Sequence, residues 1–245
     1  MILINFFLLL QLYQFIMKFS CKVNCENCTA RCDIYNSIRD SGLHFDDFNP
    51  LQAIYKKHET VCKQGSDVTH AIYLVSGSAK LYIEGINHRN IIMYIMRPSS
   101  YIGLLSFFES EKYCYTVTTL EESKICMIDL ELVQQLYKEN HAFFLKLNQA
   151  FARSTASILH KIITLNQKQA RGRLAENLLY LSDLHGGSIF NMGITRRELG
   201  EMCAISEENT VRVLREFCNE NIIHMEGRRL SILDRKLLKK ISEIG

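Results

Sequence analysis

Residues 194–223 read ITRRELGEMCAISEENTVRVLREFCNENII, and the rest of the chain is best understood outward from them. Thr195 followed three residues later by Glu198 is a capping box, which starts a helix. Leu199 and Met202 give that helix an inner face, and a short turn at Cys203–Ala204–Ile205 follows. Ser206 then caps a second helix predicted to run to about Asn219. Val211, Leu214 and Phe217 are its expected apolar positions, with Glu207, Glu208, Asn209, Arg212 and Arg215 turned outward. Two short helices, a tight turn and a polar start to the second helix are what a reader of the DNA major groove needs. Arg212 can pair with O6 and N7 of a guanine, and Glu208 can accept from a cytosine N4. A valine at 211 offers only apolar contact, for example with a thymine methyl. Residues 222–233, IIHMEGRRLSIL, predict a β-hairpin turning at Gly227 and Arg228, the wing of a winged helix. Arg196 and Arg197 open the first helix, where amides and cations can hold a phosphate. The candidate DNA-binding set is therefore Arg196, Arg197, Ser206, Glu207, Glu208, Asn209, Val211, Arg212 and Arg228. The alternative is a solvated amphipathic helical hairpin.

Upstream, KQARGRLAENLLYLSDL at 168–184 reads as an amphipathic helix ended by Gly186–Gly187. From about Glu131 to Gln167 the pattern is also helical. Phe144, Leu147, Phe151, Ser154, Ile158 and Leu165 fall at alternating steps of three and four, with Lys161 breaking the last step, which is the seam of a coiled coil. Phe143, Ala150, Leu159, Ile162 and Ile163 lie beside it. A helix so broadly apolar must bury two faces. At about 1.5 Å per residue it is longer than one small roll can cover. A homodimer seam is expected, with a single-chain core helix as the alternative. Residues 56–132 hold short strands broken by Gly, Ser and Asn, as in HAIYLVSGSAKLYIEG, and predict an antiparallel roll or barrel. Residues 35–55 read as a short helical lead-in. The fold class expected is α+β. Its parts are an N-terminal arm at 1–34, a β-roll at 35–132, a dimerisation helix at 133–167 and a winged helix-turn-helix at 168–245.

Composition bounds the function. A chain of 245 residues with 47% hydrophobic and 22% charged content suits one large or two ordinary globular domains. A net charge of +3 does not by itself announce a nucleic-acid binder, so the case rests on the motif. No glycine-rich phosphate loop, Ser-His-Asp order or paired metal-ligating histidines stands out, which argues against an enzyme. The first sixteen residues, MILINFFLLLQLYQFI, lack the positive start and cleavage site of a signal peptide. They are also short for a bilayer span, which needs about 20 apolar residues. A start of translation at Met17, a membrane anchor and an amphipathic arm are the alternatives, and a cytoplasmic location without membrane association is expected.

Nine cysteines, an odd and unevenly spread set, argue for free thiols, metal ligands or redox chemistry over a disulfide scaffold. Cys21, Cys25, Cys28 and Cys32 cluster near the start, spaced C-x3-C-x2-C-x3-C. The C-x2-C pair, Cys25 and Cys28, can chelate one metal centre. Cys62, Cys114, Cys203 and Cys218 sit in apolar strand or helix contexts and read as small core residues.

Taken together, the chain resembles the CRP/FNR family from about residue 56 to 240. The resemblance rests on the glycines of KQGSDVTHAIYLVSGSAKLYIEG and SYIGLLSFF, on the long helix, on ITRRELGEMCAIS…TVRVL, and on the wing sequence MEGRRLSIL. It implies a cyclic-nucleotide-binding-like roll, a homodimer on a palindromic site in double-stranded DNA, and RNA polymerase as a partner. It also implies base reading by an acidic residue and an arginine four positions later, here Glu208 and Arg212. FNR-like members often carry a serine before that arginine. Val211 departs from this, so the half-site is expected to share the family's TGA core without matching its flanks.

The resemblance leaves two effector classes to weigh. In a cAMP-binding roll a glutamate takes the ribose hydroxyl and an arginine the phosphate. Leu104 and the neighbourhood of Cys114 occupy those positions, and no arginine lies between Arg97 and Arg153. A phosphate buried without a cation is costly, so cAMP is not expected. FNR-type sensors instead carry an N-terminal cysteine cluster and one distant cysteine, and Cys126 falls at the distant position. An iron–sulfur cluster, of the [4Fe-4S] type, is the favoured cofactor, held by at most four of Cys21, Cys25, Cys28, Cys32 and Cys126. The family's own spacing is C-x2-C-x5-C, from which this chain departs. Zinc, a bare dithiol switch, unliganded thiols in an arm, and a different small molecule in the roll remain open. So does a metal or redox signalling role without DNA.

Overall fold

The computed structural model describes residues 19–22, 25–28, 30–42, 44, 50–104 and 112–245. The apolar run at 1–16 and the alternative start at Met17 lie outside the described residues, as does the stretch at 105–111. The chain divides into two compact units. One holds the chain up to Leu81 together with Ile95–Ser154, and the other holds Tyr82–Tyr94 and Thr155–Gly245.

The first unit is built on antiparallel strands. β1 (Phe19–Lys22), β2 (Leu51–Tyr55), β9 (Ser123–Asp129), β4 (His70–Ser76) and β7 (Ser100–Ile102) lie side by side in that order. A second sheet orders β3 (Thr60–Cys62), β8 (Thr116–Thr119), β5 (Ala79–Ile83) and β6 (Ile91–Met96), of which residues 82–83 and 91–94 are counted with the second unit. The turn from β4 to β5, which passes the chain from one sheet to the other, falls at Gly77, whose φ is +87° and where a Cβ would meet Ser123 Oγ at 2.3 Å. Only glycine fits both the conformation and the space. The sheet buries Ala71, Tyr73, Cys126 and Ile128 on one face, against Ile34 and Ile38 of α1 (Asp33–Ser41). The lead-in at 35–55 is thus not one helix: its first part belongs to α1 and its end is strand β2.

The helical stretch from Glu131 to Gln167 is also not continuous. α2 (Leu130–Glu139) ends at Asn140, which has extended backbone and whose side chain accepts from Phe143 N at 2.9 Å. That cap starts α3 (His141–Gln167). Asparagine competes well for local backbone hydrogen bonds, which is why the break falls there. Phe143 and Leu147 pack into the core of the first unit beside Val133 and Leu136.

The second unit contains α4 (Ala170–His185), closed by Gly186 in the left-handed region at φ +73°. β10 (Ile189–Asn191), α5 (Arg196–Cys203), α6 (Glu207–Asn219), β11 (Ile223–Glu226), β12 (Arg229–Ile232) and α7 (Arg235–Ile244) follow. β12 pairs with both β10 and β11, making the wing a three-stranded sheet. Among the described residues, no helix is long and apolar enough to cross a membrane.

Candidate nucleic-acid interface and thiol pocket

The helix-turn-helix is assembled by local chemistry. Thr195 Oγ1 accepts from Glu198 N at 3.1 Å while Glu198 Oε2 accepts from Thr195 N at 2.7 Å, closing both halves of the capping box. α5 ends at Ala204 in the left-handed region, φ +51°. Ser206 Oγ then accepts from Asn209 N at 3.2 Å and caps α6. The two helices approach so closely at Gly200 that a Cβ there would lie 2.8 Å from both Ile205 O and Thr210 Oγ1. That glycine was not singled out by the motif. Its signal is a small residue one turn before the bend.

The inner face of α6 is Thr210, Val213, Leu214 and Phe217. Val211 is half-buried and stands outside it, a correction to its place among the inner positions. Thr210, invisible to an apolar pattern, fills the gap by donating its hydroxyl to Ser206 O at 2.9 Å. Ser206, Glu207, Glu208 and Asn209 are exposed around the start of α6, and Arg212 is exposed one turn further on. Arg212 is not loose: its Nη1 donates to Glu216 Oε1 at 2.6 Å, one turn along. Glu216 is shared with Arg171 of α4 at 3.3 Å. Arg197 pairs with Glu201 at 3.4 Å and is exposed. Arg196 is differently employed, donating to Gly227 O and so tying the start of α5 to the wing turn. Arg228 is exposed at that turn, beside Gly227 at φ +60°.

The seam residues scatter. Leu147 is buried in its own chain's core and cannot join a dimer seam, a correction with a plain cause: with Phe143 it covers α1 and α2. Phe144 lies against Tyr137 with ring centroids 4.8 Å apart. Ser154, Ile158 and Leu165 are half-buried, and Phe151 is exposed. In the C-terminal half of α3 the exposed large apolar side chains are Leu159, Ile162 and Ile163, the neighbours of the predicted seam.

The thiols come together across the sequence. Cys126 on β9 stands level with Gln52 on β2 and Tyr73 on β4, so the three form one row across the sheet. Above that row lies the arm. Cys25 opens a single 3-10 turn, Cys28 closes it by donating N to Cys25 O at 3.0 Å, and Cys32 is the N-cap of α1. Arg31, at φ +44°, pins the loop by donating to Glu26 O at 3.3 Å and by lying 4.2 Å over the Tyr35 ring. Cys25, Cys28, Cys32 and Cys126 thus line one pocket with Gln52, Tyr73 and Tyr35. Gln52 Nε2 donates to Cys28 Sγ at 3.7 Å. Burial, then the neighbouring Cys32 and Cys28, push the Cys25 thiol up to about 12. Burial and the other three thiols push Cys126 up as well. Cys32 is raised by burial, against which the amides of Tyr35 and Ile34 pull it down. Among the described residues, no three Cys, His, Asp or Glu side chains stand at single-ion ligating geometry. Cys21 sits at a register shift of β1, and its side chain lies outside the described residues.

The remaining cysteines divide. Cys62 and Cys203 are buried, as a core reading expects, Cys218 is half-buried, and Cys114 is exposed. Leu104, at the place of the ribose-binding glutamate, is buried in the core of the first unit.

The chain spans two known domain types. Residues 53–140 match the cyclic nucleotide-binding domain and residues 172–241 the Crp-like helix-turn-helix domain. It is 24% identical over 183 residues to the cAMP-activated global transcriptional regulator CRP of Salmonella typhimurium, covering 73% of this chain and 87% of that protein. It is 22% identical over 220 residues to the CRP-like cAMP-activated global transcriptional regulator of Mycobacterium tuberculosis, covering 88% and 98%. Among solved structures, FixK2 from Bradyrhizobium japonicum superposes with a TM-score of 0.71 at 16% identity, covering 78% of this chain and 96% of that one. A CRP/FNR-family transcriptional regulator from Eubacterium rectale gives 0.68 at 20%, covering 89% and 96%. With a roll, a long helix and a capped helix-turn-helix in the order these relatives share, the chain belongs to the CRP/FNR family of DNA-binding transcription regulators.

Proposed function

We propose that this regulator acts as a cytoplasmic homodimer on palindromic double-stranded DNA, working with RNA polymerase, and that it reads its signal through a thiolate-ligated iron–sulfur cluster. The observation that carries the sensor reading is the meeting of Cys25, Cys28 and Cys32 with Cys126 in one pocket. Four thiols are the donor set such clusters take, and the positive charge of a bound metal centre would offset the burial that raises the Cys25, Cys32 and Cys126 thiols. A bound cluster supplies a centre that oxygen or nitric oxide can dismantle. Gln52 supplies a hydrogen bond to a ligand sulfur, the kind of outer contact that tunes such centres. Cys21 is the spare.

The same arm reaches the dimerisation helix. α1 begins at Cys32, and its Asp33 pairs with Lys146 of α3 at 3.0 Å. Asn140 donates to Ser37 O at 3.2 Å. Loss of the cluster would release α1 and alter the support of α3, which would give an effector two states of different DNA affinity to select between. cAMP is not the proposed effector, because a leucine and an exposed cysteine stand where its ribose and phosphate would need polar partners.

On DNA, Glu208 and Arg212 would contact base edges, with Ser206, Glu207, Asn209 and Val211 flanking them. Arg197 and Arg228 would hold phosphates. Arg196 would act chiefly by fixing the wing. The dimer seam would run over Phe151, Leu159, Ile162 and Ile163, with Ile158 and Leu165 at its margin.

The test is anaerobic purification with visible absorption and iron and sulfide assays, repeated on Cys126→Ser. A brown protein that bleaches in air, and a colourless variant, are expected. Colourless wild-type protein carrying one zinc, or carrying no metal while binding DNA normally, overturns the cluster.

A further inference from the structure

The second unit contains a cavity of about 350 Å³, a size that suits a small molecule. Met93, Tyr94, Tyr180 and Met202 supply its apolar wall, and Lys161 of α3 reaches into it. Lys161 is only 7% exposed, an unusual place for an ammonium. Its Nζ donates to Met202 O at 2.6 Å, a neutral partner. Glu176, which also lines the cavity, is already held by His160 at 2.6 Å and by Lys168 at 3.2 Å. Burial is the chief effect that lowers Lys161, opposed by Cys203 and Glu176 and abetted to a smaller extent by Arg173. The Arg173 Nε is buried without an acceptor. The ammonium of Lys161 thus lines the cavity with a neutral hydrogen-bond partner, beside a carboxylate that His160 and Lys168 already engage. Buried charge of one sign without its counterpart is costly, and an anion in the cavity would offset it.

We propose that this cavity binds a small carboxylate with an apolar body, its anionic head on Lys161 and its body against Met93, Tyr94, Tyr180 and Met202. One ammonium, a wall carboxylate at Glu176 and methionine and aromatic walls match a monoanionic organic acid better than a doubly charged phosphate. Met202 lies at the end of α5, so a ligand that shares Lys161 bears directly on the first helix of the helix-turn-helix. The site is separate from the thiol pocket and does not depend on it.

The experiment uses the full chain, with benzoate and hexanoate as probes and benzamide as the uncharged control, followed by calorimetry and thermal shift. Saturable binding of at least one acid, with benzamide tenfold weaker or silent, is expected. Lys161→Met should weaken the acid by roughly tenfold or more, the scale of removing one partner of a buried charge pair. Ser157→Trp, which blocks the cavity from the exposed side of α3 without removing the charge, should abolish binding in a protein that still folds. Equal binding of acid and amide, retention of binding in either variant, or no saturable binding of either acid overturns the proposal. Unchanged acid binding in Cys126→Ser is expected, and its loss there would mean the effect comes from the thiol pocket.

Discussion

The helix-turn-helix and the thiol pocket are both small sites, yet they are made in opposite ways. The first is local. Its caps, its bend and its inner face come from residues 195–217, and each is fixed by hydrogen bonds spanning three or four residues. The second is long-range. Three thiols arrive on a loop and a short helix, the fourth on β9, and strand register alone brings Gln52 and Tyr73 level with Cys126. A local site survives changes elsewhere in the chain. A long-range site fails when any of its supports shifts. The largest test of that difference is a matched pair of core truncations. Phe217→Ala should cost the second unit about 3–5 kcal/mol, since Phe217 is fully buried, and should abolish DNA binding. Phe143→Ala, equally buried beneath α1, should cost the first unit a similar amount and weaken metal uptake by loosening the arm. Peptide-resolved hydrogen exchange locates each loss. Equal loss in both units after either change would break the contrast.

Arg212→Ala tests the reading head alone. About 1–3 kcal/mol of specific binding should be lost at one base pair, with no loss of fold, by competition binding on single-base variants of the site. Arg197→Ala should weaken all sequences alike, as a phosphate contact does. If Arg212→Ala also weakens every sequence uniformly, Arg212 is held by Glu216 as a surface pair and does not read bases.

Legibility in the sequence follows the same division. The capping box, the wing turn at Gly227–Arg228 and the Gly186 stop were all readable because each is written within a few residues. What failed locally failed on residues an apolar count ignores: Thr210 took an inner position and Val211 gave it up. The break at Asn140 was missed for the same reason. The cysteine cluster was visible as spacing, and resemblance suggested Cys126. Nothing in the spacing could show Gln52 or Tyr73, because pairing register is a property of three strands at once. Lys161 stood out only as a flaw in a heptad. Its use, holding Met202 O, depends on a helix some forty residues later.

Alkaline pH offers a finer contrast between the units. Burial pushes the Cys62 thiol up to about 12, whereas an unfolded thiol titrates near about 8.5. Between those values the folded chain keeps a proton that the unfolded chain has lost. Stability is therefore full below about pH 8.5 and falls above it, by up to about 1.4 kcal/mol per pH unit. Cys203 is likewise raised by burial to about 12. Its neighbour Lys161 is lowered, chiefly by burial, and a lowered amine has the opposite sign: the fold sheds that proton first, so stability is gained as pH rises toward the unfolded value. Urea melts between pH 8 and 10.5, resolved by unit, should fall more steeply for the first unit, and Cys62→Ala should flatten that fall. A steeper fall in the second unit would reverse the assignment.

The smallest effect separates two caps that look alike. Thr195 and Ser206 each accept a backbone N–H three residues on, at 3.1 and 3.2 Å. Thr195 is part of a reciprocal box and starts a helix of only eight residues, so its cap supports a large share of α5. Ser206 starts a helix of thirteen residues whose inner face is anchored by Phe217 and Leu214. Thr195→Ala should therefore cost about 1 kcal/mol of stability and change DNA binding little at temperatures where the unit is folded. Ser206→Ala should do the reverse if, as proposed, the exposed start of α6 meets the DNA. Thermal melts and anisotropy titrations on the same two proteins decide it. If Ser206→Ala lowers the melting temperature as much as Thr195→Ala and leaves DNA affinity untouched, Ser206 is a cap and nothing more, and the contact edge of α6 begins at Glu207.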